Sequence, residues 1–110
     1  MLHTEPRTTS APAASGSARE EHRRALERLE RKQRVIADLI DGRLRLLEAA
    51  ARFRDVQKAA PEDGERLCRA VIGWVYLALS DRPERAEALA SALERELQTI
   101  VSRQGAVRLP

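Results

Sequence analysis

The sequence predicts an all-α protein, a small bundle of about four helices, mostly antiparallel, behind a disordered N-terminal tail. Three observations lead there. The 110 residues are 43% hydrophobic but only 3% aromatic, so the core must come from Leu, Val, Ile and Ala. A charged content of 34% alongside Leu and Ala favours helix over strand. Apolar residues also recur at three-and-four spacing in four stretches parted by Gly, Pro and Asp. A chain of this length holds one domain, expected over 18–104.

Residues 1–17, MLHTEPRTTSAPAASGS, carry hardly any large apolar side chain. They bury too little surface to offset the cost of ordering them, and a disordered tail is expected. They also lack the basic then apolar regions of a secretory signal.

The first helix is expected over about 18–41. Ser17 suits its cap, with Glu20 as capping-box partner. Leu26, Leu29, Ile36 and Ile40 form its apolar stripe, Gln33 fills the missing beat, and Val35 and Leu39 widen it. Glu20–Arg24, Glu27–Arg31 and Glu30–Arg34 stand four apart and support the charged face. Asp41-Gly42 ends the helix, because glycine accepts the left-handed cap conformation.

A second helix, about 44–57, places Leu46, Ala49, Ala50 and Phe53 on one face, with Leu47 and Ala51 beside them. The third, about 61–79, starts at Pro61-Glu62-Asp63, where proline loses no needed bond and carboxylates meet the helix dipole. Its apolar positions cover an arc of about 220°. The arc runs from Leu77 and Ala70 through Trp74, Leu67, Val71, Val75 and Cys68 to Leu79 and Ile72. Such a helix is central, packed on two neighbours or on one neighbour and a second chain. Tyr76 stands at the arc's edge, a place for an interface ring.

The fourth helix, about 82–104, starts at an Asp81 cap with Glu84 three residues on and Pro83 in the first turn. Ala86, Ala90, Leu93, Leu97 and Ile100 make a seam like that of a short coiled coil. Residues 105–110 are a short tail. Short links make sequential helices antiparallel neighbours. Leu67, Val71, Trp74, Tyr76, Leu93, Leu97 and Ile100 are therefore the expected core or interface residues.

Net charge is +3, and its distribution says more than its sum. Residues 19–58 hold twelve basic and eight acidic side chains, and residues 61–110 seven and eight. Any electrostatic footprint lies on the first half. Only Lys32 and Lys58 among the basic residues are lysine, and asparagine is absent. Arginine suits phosphate and carboxylate recognition, although a compositional bias towards arginine produces the same count.

Catalysis is not expected. His3 falls in the tail and His22 on the charged face, with Arg19 where a Glu-x-x-His metal helix would need its glutamate. No His-Glu-x-x-His, phosphate-cradling glycine loop or second cysteine for zinc is present. Cys68, the lone cysteine, excludes an internal disulfide and lies within the apolar arc as an inert thiol. No cofactor, metal or small-molecule substrate is expected. No apolar run approaches a membrane span. A cytoplasmic setting is the expectation.

Glu48-Ala49-Ala50 with Phe53 three residues on resembles the first half of a helix-turn-helix. The resemblance implies DNA contacts from Arg43, Arg45, Arg52 and Arg54. It covers about a dozen residues. The turn glycine would fall at Arg54 and the apolar turn residue at Asp55, and the following helix is apolar where a recognition helix exposes base-reading side chains. The order GRLRLLEAAARFR…VIGWV is also similar to short bacterial helical proteins of unassigned function, which implies no activity. The expected function is that of a non-enzymatic helical protein, regulatory in character, binding a protein partner or a second copy of itself. DNA-binding regulation through a degenerate helix-turn-helix is the alternative.

Overall fold

The first helix stops where a glycine can take a conformation that other residues resist. In the computed structural model α1 spans Thr4–Ile40. Gly42 follows at φ 82°. Its N–H donates to the Leu39 carbonyl at 3.0 Å, and that of Arg43 donates to the Asp38 carbonyl at 2.8 Å. This crossed pair is a Schellman cap, and it satisfies carbonyls that the helix end leaves open. Backbone is described for 4–58 and 63–110, and side-chain burial for 18–58 and 63–110. The tail expected over 1–17, the Ser17 cap and the helix start at Pro61 fall outside the described side chains.

Backbone contacts divide the chain into two units, Met1–Glu30 and Arg31–Pro110. The first holds only the leading part of α1. Every described side chain in it, 18–30, is exposed. Leu26 is 47% and Leu29 40% exposed, which corrects their expected place in the core stripe. Within this unit a single helix offers Leu26 and Leu29 no second apolar face. The ladder on its charged face is in part as expected, with Glu20 pairing Arg24 at 3.9 Å and also pairing Arg23.

The second unit contains the core. The end of α1 buries Val35, Ile36 and Leu39. Lys32 is half-buried and Gln33 exposed, so Lys32 takes the beat expected of Gln33. Helix α2 (Leu46–Gln57) buries Leu46, Ala49, Ala50, Ala51 and Phe53, the face its spacing predicts. Arginine has no acceptor with which to cap it. Half a capping box serves instead, with the Arg45 N–H donating to Glu48 Oε1 at 2.8 Å. Lys58 closes α2 at φ 54°, its N–H bonded to the Arg54 carbonyl.

Helix α3 (Gly64–Ala78) packs on both α2 and α4, the central position that its wide arc predicts. Its described α-helical turns begin at Gly64, with Asp63 as the residue before it. A Cβ on Gly64 would come within 2.6 Å of the Val107 carbonyl oxygen, so the absence of a side chain lets the C-terminal segment approach. Leu67, Cys68, Val71, Ile72 and Val75 are buried.

Helix α4 (Pro83–Gln104) does not take the Asp81 cap. A turn bonding the Arg82 N–H to the Leu79 carbonyl at 2.8 Å places Arg82 before the helix and moves Asp81 one residue too far out. Pro83 occupies the first turn as expected. The seam closes within the chain. Ala86, Ala90, Leu93 and Leu97 are buried, and Ile100 is half-buried against the same core. Gly105, at φ 71°, ends α4 with its N–H on the Val101 carbonyl at 2.8 Å. Beyond it Val107 is only 8% exposed and joins the core. Among the described residues there is no strand, and no helix is long and apolar enough to cross a membrane.

Candidate functional site

Two surfaces of the second unit carry chemistry that the core does not use. The first is an open groove between the end of α1 and α2. Arg31, Arg34, Val35 and Asp38 line it from α1, and Arg52, Asp55 and Val56 from α2. Helical spacing explains the α1 wall, because positions three, four and seven apart share a face. Val35 is anchored in the core and Val56 half-buried, so the groove has an apolar floor beneath three guanidiniums. Among the described residues, ion pairs join Arg23 and Arg24 to Glu20, Arg54 to Asp55, and Arg69 to Glu65. None involves Arg31, Arg34 or Arg52, and the pairs expected of Glu27–Arg31 and Glu30–Arg34 are not among them. Asp55 already accepts from Arg54 Nε at 3.3 Å. The groove thus sets three guanidiniums against two carboxylates, and none of the three is in an ion pair among the described residues.

The second surface is one edge of α3. Its wide apolar arc is only partly covered. Leu77 is 69% and Tyr76 40% exposed, while Ala70 and Trp74 are half-buried and Gly73 presents no side chain. Trp74 meets the buried Phe53 ring edge to face, with centroids 5.9 Å apart and planes at 88°. Tyr76 donates from its hydroxyl to Glu87 Oε1 at 3.3 Å, and Ser91 donates to the other oxygen at 3.2 Å. Lost hydration, followed by the Glu87 and Glu94 carboxylates, holds the phenol above its ordinary pKa.

The arginines expected to touch DNA do not form one cluster. Arg43 and Arg45 are exposed in the link before α2 and at its start. Arg52 faces the groove. Arg54 points elsewhere, half-buried, with its Nη2 donating to the Pro110 carbonyl at 3.1 Å. Two residues on a helix differ by about 200°, which is why Arg52 and Arg54 part company. Of the expected core or interface residues, Leu67, Val71, Leu93 and Leu97 are buried, Trp74 and Ile100 are half-buried, and Tyr76 is exposed. Sequence reasoning missed Arg31 and Arg34 as partners of Arg52. Their spacing of three marks a shared face, but only packing shows that α2 stands opposite.

Cys68 is fully buried, and burial, then Glu96 and Glu65, pushes its thiol up to about 11. Among the described residues no cluster of His, Cys, Asp and Glu could hold a metal ion. No family model, no curated protein and no solved structure matches the chain.

Proposed function

We propose that this chain is a non-enzymatic helical module, regulatory in character, that works by contact with a protein, either a partner or a second copy of itself. The observation that supports this reading is the open face of α3, where Leu77 stands exposed between Trp74 and the bare backbone at Gly73, with the exposed Tyr76 on the other side of Gly73. A large aliphatic left in water at the end of the most apolar helix forgoes about 1.5–3 kcal/mol of burial. An aromatic with a polar tip and a glycine that admits a close neighbour suit an interface. The α4 seam closes within the chain, so this edge is where a contact would form.

Sedimentation velocity at low micromolar concentration tests self-association. Species larger than a monomer are expected, reverting to monomer in Leu77→Glu. A monomeric wild type would leave the partner alternative, tested by capture from its own lysate with and without the same substitution.

DNA binding is the second reading. It is favoured by the exposed Arg43, Arg45 and Arg52, none of which pairs with a carboxylate among the described residues. Phosphate contacts would give an affinity that falls steeply with salt, and Arg45→Ala with Arg52→Ala would weaken it on every sequence alike. No retardation of duplex DNA at low salt would remove this reading.

A further inference from the structure

We infer that the α1–α2 groove is a docking site for an acidic protein segment with an aliphatic anchor. The inference rests on the reading of the chain as a protein-binding module and names the chemistry of the partner. Arg31 and Arg34 stand about one turn apart on α1, and Arg52 faces them from α2. Three guanidiniums line one groove from both sides without a carboxylate partner among the described residues. A guanidinium presents a planar fork of donors that fits a carboxylate two bonds at a time. The floor between them is Val35 and Val56, which fits an aliphatic side chain and offers nothing to a charged one.

The remaining lining separates an acidic peptide from a nucleic acid. Asp38 and Asp55 stand in the same groove and oppose a run of phosphates, each of which carries charge without a donor. A peptide also brings backbone N–H groups, and the Asp38 carboxylate can accept one. Among the described residues no aromatic ring lines the groove on which a base could stack. Charge complementarity and the apolar floor together select a segment that alternates Glu or Asp with Leu.

Fluorescence anisotropy on the full chain tests this. The probe is a short labelled peptide of repeated Glu-Glu-Leu, set beside a Lys-Lys-Leu peptide and a labelled DNA duplex. The acidic peptide is expected to bind, more weakly as salt rises, and the basic peptide not to bind. Arg34→Ala with Arg52→Ala should weaken binding by about tenfold or more, since each removes charge-assisted bonds. Circular dichroism should be unchanged, because both side chains are exposed. Lysine at both positions should restore only part of the affinity, because it keeps the charge and loses the fork. Leu77→Glu should leave peptide binding intact.

Absence of acidic-peptide binding, or equal binding by wild type and the double alanine variant, overturns the inference. So does equal binding of the basic peptide, which would reduce the groove to an apolar contact. A duplex bound in preference to the acidic peptide, and lost in the same variant, also overturns it and assigns the arginines to phosphate. Association through the α3 edge is read by sedimentation and Leu77→Glu, so either result can fail without the other.

Discussion

Lys58 shows how a single residue carries a cost that its neighbours impose. It closes α2 at φ 54°, where a side chain is crowded against its own backbone and glycine is not. Lys58→Gly is expected to raise stability by about 0.5–1 kcal/mol in urea unfolding, after the greater freedom of glycine in the unfolded chain is counted. A loss of stability would mean that the lysine stem covers apolar surface. Cys68 answers to burial instead. Its thiol is held up to about 11 against an ordinary 9.0, and it has no exposed surface. It should resist a thiol reagent at pH 8 in the native state and react on unfolding. The folded pKa lies above the unfolded one, so the contribution is complete below about pH 9 and is lost as pH rises through about 11. A fall in stability of about 2–3 kcal/mol is expected across that window, and Cys68→Ala should flatten it.

Each helix is amphipathic in sequence, but its neighbours decide how much of the apolar face is used. In α1 the stripe reads as continuous from Leu26 to Ile40, yet Ile36 is 1% exposed and Leu29 40%. Ile36→Ala should therefore cost about 2–5 kcal/mol, whereas Leu29→Ala should change the denaturation midpoint hardly at all. Equal effects would place Leu29 in the core after all. Lys32 marks the point where the two regimes meet. Its ammonium lies 5.3 Å from the centre of the Phe53 ring and 5.8 Å from that of Trp74, and it bonds Gln57. A charged residue can take a core-facing beat in this way because its stem is apolar and its head finds aromatic faces and an amide. Between Leu29 and Ile36 the three-and-four spacing admits either Lys32 or Gln33, so the spacing of α1 does not choose between them. In α3 the same logic runs the other way. The arc is wider than its partners can cover, and Leu77 is left outside.

At the scale of the whole molecule, the core is closed by residues far apart in the chain. Val107 lies in the core against Gly64, Leu109 packs against it, and Arg54 of α2 holds the Pro110 carbonyl. A chain ending at Gly105 should lose about 1–3 kcal/mol, read as a lower melting temperature with helix content nearly unchanged. Unchanged melting would show that the segment covers the core without stabilising it. The sequence shows AVRLP only as a short tail, because two aliphatics in five residues have no periodicity to reveal a buried face.

What the sequence alone determined is local. Four helices, the glycine stops at Gly42 and Gly105, the buried face of α2 and the central place of α3 all follow from spacing and from backbone chemistry between near neighbours. What the tertiary structure decided is which of several equivalent faces is covered. It consumed the α4 seam within the chain, left Leu26, Leu29 and Leu77 in water, and set Arg52 opposite Arg31 and Arg34 while turning Arg54 towards the C-terminus. The reason is physical. Periodicity records that a helix has an apolar side, and a cap depends on a few adjacent residues. Covering a side, or facing one arginine with another across a groove, depends on a helix that is distant in sequence.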